Sequence, residues 1–346
     1  MTVRLKQTHY SLAEVEEALR RADLVSILSD FDNTIAVPDP DRIGRTEPSP
    51  EVARAWNRLD EVMQGRAVIL TARNAANCRD NHNSQLPLDD HKLIPVSGQN
   101  GFEFAHGGSK ETVHTYSRAQ PGFDIARNAI AYLNEVIAGI LTEQGVVATV
   151  EPGNHMKCAI FLSKGGKIGE VEVAYLTQRV WQCLEAQFPA DIAQMKEHLE
   201  IKPAPLGVDV VWKKLTKEDA AKGLFQEFTR GQRGKQIVLI TAGDHPKYDG
   251  AMFKGAIAFG RKLPAVATVI NIATSIEAAQ LPECTFSFGA DGKEAVAAYN
   301  GFVEGTLLRI LSAKFDPTKD AARADHRVAP AIRKLHSRRE QRLLVR

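Results

Sequence analysis

Four short runs, apolar on both faces and flanked by stretches of helical spacing, constrain this chain more than any other feature. They are LVSILSD, ending at Asp30; RAVILTAR, running through Thr71; QIVLITAGD, ending at Asp244; and AVATVINI. Runs of this length with no polar face read as strands of a parallel sheet covered on both sides. Helical patterns fall between them. One begins at Ser11, with Glu14 three residues on as a capping box, another covers residues 51–64, a third begins at Lys217 and a fourth follows Asp249. LIPVSGQNGFEF adds a strand, a Gly-rich turn and a strand, and CTFSFG a closing strand. Alternation of this kind predicts an α/β fold: a doubly wound, Rossmann-like parallel-sheet core.

The tract between the Thr71 run and Lys217 has another character. A helix around 124–141, a strand pair in VVATVEPGNHMKCAIFLS and a long helix through 169–187 read as an inserted α+β cap. The expected division is therefore core at 1–108 and 206–313, cap at 109–205, and a tail at 314–346 that turns basic after Arg327. A chain of 346 residues is long enough for one large domain carrying a second. With 44% hydrophobic and 25% charged residues it can build a core, and a net charge of +2 gives no reason to expect a polyanion as partner. Cys78, Cys158, Cys183 and Cys284 lie far apart, without the spacing of a zinc or redox motif, and read as free thiols. No run is long enough to span a bilayer and the amino terminus is too polar for a secretory signal, so a cytoplasmic location is expected, with no membrane partner.

Chemistry concentrates at the strand ends. Asp30-Phe31-Asp32-Asn33-Thr34 places two carboxylates one residue apart after a buried strand. There the first can attack phosphorus and the second can handle the leaving-group proton, although an Asp-rich turn would satisfy the same local pattern. Thr71 ends the second strand, where its hydroxyl can donate to a phosphate oxygen or cap the next helix. Gly243-Asp244 ends the third, with Asp249 five residues on, so this loop can bring carboxylates towards Asp30, and Mg2+ prefers such hard oxygen ligands. A phosphoryl group also needs a fixed cation. Thr216 as N-cap with Asp219 puts Lys217 in the first turn of a helix, and Lys222 lies further in as the alternative.

In this order the four pieces resemble the haloacid dehalogenase superfamily of phosphohydrolases. DFDNT is similar to its DxDxT motif, ILT to its apolar run ending in Thr, Lys217 to its lysine, and GDHPKYD to its acidic loop. An insertion between the Thr and Lys motifs resembles the subgroup with a large α/β cap. That subgroup contains trehalose-phosphate, sucrose-phosphate and mannosyl-phosphoglycerate phosphatases and phosphomannomutases, and VDVVWKKLTKEDAA is similar to the trehalose-phosphate phosphatase segment. The resemblance implies Asp30 as nucleophile, Asp32 as acid and base, Thr71 and Lys217 on the phosphate, and Mg2+ held by Asp30, Asp32, Asp244 and Asp249. It also implies a small phosphorylated sugar as substrate. Three features depart from the pattern: Glu218 follows Lys217 while a Lys-Gly pair occurs at Lys222-Gly223, the acidic loop is one residue longer with Tyr248 before Asp249, and EPGNHMKCAIF lacks the sugar-reading motif.

In the cap, His155 and Lys157 lie two residues apart in a strand-like run, which puts both on one face as candidate sugar-binding residues. A phosphomutase shares the aspartyl-phosphate and stays open as an alternative. A regulatory protein on this scaffold, with the basic tail on RNA or an acidic partner, is a further alternative; a solvated helix face explains Arg327, Arg333, Lys334, Arg338, Arg339, Arg342 and Arg346 better.

Overall fold

A computed structural model describes residues 9–39, 45–114, 120–151, 153–162, 168–204, 206–232, 234–263 and 267–315. The basic tail lies outside them from residue 316 onwards. Twelve strands are present among these residues: β1 Leu24–Ser29, β2 Ala67–Leu70, β3 Val96–Gly98, β4 Glu103–Ala105, β5 Thr112–His114, β6 Ala148–Val150, β7 Lys157–Leu162, β8 Leu199–Ala204, β9 Gly207–Trp212, β10 Ile237–Gly243, β11 Ala267–Ala273 and β12 Phe286–Ser287.

They form an eight-stranded sheet in the order β12-β11-β10-β1-β2-β3-β4-β5 and a four-stranded sheet in the order β6-β7-β9-β8. From β12 to β3 the large sheet is parallel, and β3, β4 and β5 are antiparallel. Every residue of β1 and β10 is buried, which is why these runs carry no polar face. Helices Leu12–Arg21, Pro50–Met63 and Gly292–Phe302 cover one side of the sheet, where Trp56, Leu59 and Tyr299 pack on Val25 and Ile27. Helices Lys217–Phe228 and Tyr248–Gly260 cover the other, where Phe225 and Phe253 pack on Leu28 and Leu239. The expected capping box at Ser11 and Glu14 and the N-cap at Thr216 both form. This is the doubly wound α/β arrangement. β1 has β2 on one flank and β10 on the other, so the chain departs from β1 in both directions, the topology that in such sheets sets a ligand crevice beyond the carboxyl ends of these strands.

The four-stranded sheet is antiparallel throughout and is covered by helices Phe123–Glu143, Glu170–Gln187 and Ile192–His198, with Leu133, Ile137, Cys158, Val208 and Trp212 in its core. Its extent corrects the expected boundaries of 109 and 205. β5 completes the large sheet by pairing with β4, so residues 112–114 belong to the core side. β9, expected to resume the parallel core, instead pairs antiparallel with both β7 and β8. Val208, Val210 and Trp212 alternate towards the small sheet's core, while the run is apolar enough to be read as a core strand from sequence. At Gly207 an added Cβ would lie 1.7 Å from the Ile160 carbonyl oxygen, so only glycine admits the β7–β9 pairing there.

All four cysteines are buried free thiols. Among the described residues no helix is long and apolar enough to cross a membrane.

One buried group ties stability to pH. His82 is fully buried in helix Ala75–Asn83, with Nε2 3.0 Å from Asn57 Oδ1. Burial holds its pKa down to about 4, against 6.5 for a free histidine. The unfolded chain therefore takes up this proton below about pH 6.5 while the folded chain refuses it until about pH 4. Stability present above pH 6.5 falls as the pH drops through that window, by up to about 3 kcal/mol. Urea unfolding at pH 7 and pH 4.5 should show a larger loss for the wild type than for His82→Gln. Equal losses would remove His82 from the account.

Candidate active site

The carboxyl ends of β1, β2 and β10 bring four distant segments together. The register sets Ser29 beside Ala242 on one flank and beside Ile69 on the other, so Asp30, Thr71 and Asp244 each follow the end of a neighbouring strand. The Asp30 main-chain N–H continues the ladder by donating to the Ala242 carbonyl at 2.8 Å. Helix Lys217–Phe228 points its amino-terminal turn at the same place. Lys217 Nζ, 5% exposed, donates to Asp30 Oδ1 at 2.5 Å and to Asp249 Oδ1 at 2.6 Å. Asp249 Oδ2 accepts the main-chain N–H groups of Asp244 and His245 at 3.0 and 2.9 Å, folding the loop back onto its own helix. Lys222 takes no part: it pairs with Glu218 and Asp219 on the helix surface.

Asp30, Asp244 and Asp249 each offer a carboxylate oxygen, and the three lie within 4.8 Å of one another. Burial drives Asp30 up to about 7, with the Asp249 and Asp32 charges adding to it and the Lys217 ammonium pulling the other way. Burial and the charges of Asp249 and Asp30 push Asp244 up to about 9. Lys217 is held protonated: burial opposes its charge, but Asp249 and Asp30 outweigh it. Two buried carboxylates and one half-buried one with a single ammonium form an incompletely neutralised set of hard oxygen donors, which suits Mg2+ better than zinc or a soft metal. The residues present therefore fit the ion implied by the sequence.

Asp32 stands outside that set of three but close enough for its charge to act on Asp30 and Asp244. Arg73 grips its carboxylate, Nε donating to Oδ2 at 2.9 Å and Nη2 to Oδ1 at 2.7 Å, and Thr46 Oγ1 donates to Oδ1 at 2.5 Å. Burial raises Asp32, but Arg73 and Thr46 more than reverse it and the pKa lies below the ordinary value. Thr71 is fully buried, and its Oγ1 accepts the Arg73 N–H at 3.2 Å.

On the small sheet, Lys157 is buried and its Nζ pairs with Glu151 at 3.0 Å, with Asp209 of β9 at 4.0 Å. Glu151 also feels the Arg73 charge, which places this group beside the Asp32 grip. His155 departs from the expectation: it precedes β7, so strand alternation does not set it on the face of Lys157. The cause is Gln99, whose Oε1 accepts the His155 and Met156 N–H groups, both at 2.9 Å, and so holds this turn against the large sheet. His155 itself is exposed.

Sequence reading missed Arg73, Thr46, Glu151 and Asp209. Arg73 stands two residues after Thr71 and had a positional signal; Thr46 sits in an irregular stretch with none.

No protein-family model and no curated protein sequence matches this chain. Solved structures do. The Candida albicans trehalose-6-phosphate phosphatase C-terminal domain superposes with a TM-score of 0.59 at 14% identity, over 87% of this chain and 99% of that one. A trehalose-6-phosphate phosphatase related protein gives 0.54 at 15% identity, over 82% and 99%. The C-terminal domain of the Candida albicans trehalose synthase regulatory protein gives 0.53 at 10% identity, over 86% and 100%. With overlaps of this length, the chain has the fold of these domains.

Proposed function

We propose that this chain is a Mg2+-dependent phosphohydrolase acting on a small phosphorylated sugar through an aspartyl-phosphate on Asp30. The observation that carries the reading is the bridge of Lys217 between Asp30 and Asp249, with Asp244 in the same cluster and Asp32 gripped alongside. Four segments far apart in sequence converge on the chemistry that each implied separately.

Lys217 opposes the effect of burial on Asp30 and favours the carboxylate that a nucleophile requires. Asp30 attacks phosphorus as the ester P–O bond breaks, and Asp32, which must first take up a proton against the pull of Arg73 and Thr46, delivers it to the departing oxygen. Asp32, again a carboxylate, then takes a proton from water as that water attacks phosphorus, releasing phosphate and regenerating Asp30. Lys217 and the Thr71 hydroxyl would hold equatorial phosphoryl oxygens. Asp30, Asp244 and Asp249, with the main-chain carbonyl of Asp32, would hold Mg2+, which when bound supplies charge neutralisation at the phosphoryl group.

The small sheet supports the sugar part of the reading. Lys157 already carries Glu151 and Asp209, so its remaining donors suit hydroxyl groups better than a second acidic group. His155 is the exposed candidate beside it. The trehalose-6-phosphate phosphatase named among the similar structures points to the same substrate class. The regulatory protein with this fold is the observation favouring a second reading, binding without turnover. Retention here of the nucleophile, acid, lysine and acidic loop favours turnover, and release of free phosphate also separates hydrolysis from a mutase.

Phosphate release should be measured over a panel of phosphorylated sugars and sugar acids with Mg2+. Asp30→Asn should fall to the level without enzyme, and Asp32→Asn should lose about 10²–10⁴-fold. Full activity of Asp30→Asn would defeat the proposal. EDTA should remove activity and Mg2+ restore it; indifference to chelation would defeat the metal assignment. Lys217→Ala should lose about 10²–10³-fold, the scale for one oxyanion-stabilising donor, while Lys222→Ala stays near wild type. A larger loss in Lys222→Ala would show that the wrong lysine has been placed on the phosphate.

A further inference from the structure

Asp32 is held by more than the arginine beside it. Thr46, fourteen residues later, has a fully buried side chain within an irregular segment. Its Oγ1 accepts from Arg73 Nη2 at 2.7 Å, so its single hydroxyl proton is directed to Asp32 Oδ1 at 2.5 Å. Its main-chain N–H donates to Asn81 Oδ1 at 2.9 Å. Asn81 Nδ2 in turn donates to Asn77, at 2.8 Å to the carbonyl and 3.2 Å to Oδ1, and Asn77 Oδ1 accepts from Arg73 Nη1 at 3.1 Å. The bonds close a ring through Asp32, Thr46, Asn81, Asn77 and Arg73. Asn77 and Asn81 stand one turn apart on helix Ala75–Asn83, so a rigid element anchors the ring.

The two oxygens of Asp32 differ in consequence. Oδ1 receives Thr46 Oγ1, Arg73 Nη2 and, at 3.2 Å, Arg73 Nε; Oδ2 receives only Arg73 Nε at 2.9 Å among the described residues. A carboxylate oxygen offers about two lone-pair directions, so Oδ1 is saturated and Oδ2 keeps one open. We infer that Thr46 is a positioning residue for the reaction, orienting the Asp32 carboxylate so that Oδ2 is the oxygen that exchanges the proton. This rests on the phosphohydrolase reading above. Arg73 alone leaves room for a further donor on each oxygen; the hydroxyl of Thr46, fixed through Asn81, fills that room on Oδ1 and leaves it open on Oδ2. A general acid or base must meet its proton within hydrogen-bond reach, so loss of this orientation should fall on turnover rather than on substrate binding.

The test compares Thr46→Val, which keeps the shape and removes the hydroxyl, with Thr46→Ser, which keeps the hydroxyl. Thr46→Ala is made alongside, so that removal of the hydroxyl is still measured if the valine variant fails to fold. With the sugar phosphate turned over by the wild type, kcat of the Val or Ala variant should fall about 10- to 100-fold, a part of the contribution general acid–base catalysis makes. KM should stay within about twofold, and Thr46→Ser should retain kcat within about threefold. A kcat within about twofold of wild type in the hydroxyl-free variants would overturn the inference, as would a serine variant impaired as deeply as the valine one. Wild-type turnover and its loss in Asp30→Asn judge the phosphohydrolase reading; the Thr46 series judges this one. An enzyme that works through Asp30 and is indifferent to Thr46 sinks only the second.

Discussion

The buried ammonium of Lys217 is the interaction on which the rest of the crevice depends. Asp30, Asp244 and Asp249 stand within 4.8 Å of one another where β1 and β10 end, and buried carboxylates at that spacing repel strongly unless a cation stands among them. Lys217 supplies that cation from the first turn of a helix whose start is fixed by Thr216, the hydroxyl of which accepts the Asp219 N–H at 3.2 Å. Phe225 and Phe228 then seat the helix against Leu28 and Leu239 in the core. A cap, a helix face and a sheet thus decide where a single ammonium lies, and that ammonium permits the carboxylates to gather.

This part of the site was legible because each residue follows a recognisable local event. Asp30, Thr71 and Asp244 end strands whose burial on both faces shows in their composition, and Lys217 follows a capping threonine. The same logic separates Lys217 from Lys222: five residues further along, Lys222 lies beyond the first turn and meets Glu218 on the surface. What the sequence withheld depends on contacts between elements. Thr46 reaches Asp32 from an irregular stretch with no period, and Asp209 joins Lys157 only because β9 pairs with β7. β9 itself was misplaced because an apolar strand of six residues reads alike in a parallel sheet and in a small antiparallel one; only the pairing partner distinguishes them. His155 was misplaced because a side chain from the other sheet, Gln99, takes its backbone N–H out of any ladder.

Those inter-element contacts explain how the small sheet is set over the crevice. Gln99 sits at the β3 end with a positive φ of 48°, followed by Asn100 at 56°, a conformation that is costly for residues with side chains. The turn directs the Gln99 amide oxygen at the backbone of residues 155 and 156. Tyr248, which precedes Asp249 in the acidic loop, donates to the Pro203 carbonyl of β8 at 3.4 Å while Lys202 Nζ stands 5.7 Å from the centre of its ring. Tyr248 immediately precedes Asp249 in the first turn of its helix. The loop that shapes the acidic cluster therefore also carries a contact to the small sheet.

Arg73 also connects the two sheets, by a grip on Asp32 and by the charge of Glu151. It holds Asp32 on the large sheet and feels the charge of Glu151, which pairs with Lys157 on the small one. A change in the Glu151–Lys157–Asp209 group alters the field on Arg73, whose guanidinium holds the Asp32 carboxylate. The effect then passes to Asp32. On the phosphohydrolase reading, a substrate whose hydroxyl groups engage Lys157 would act on the residue that handles the leaving-group proton without touching it, so that sugar recognition and proton transfer share one arginine.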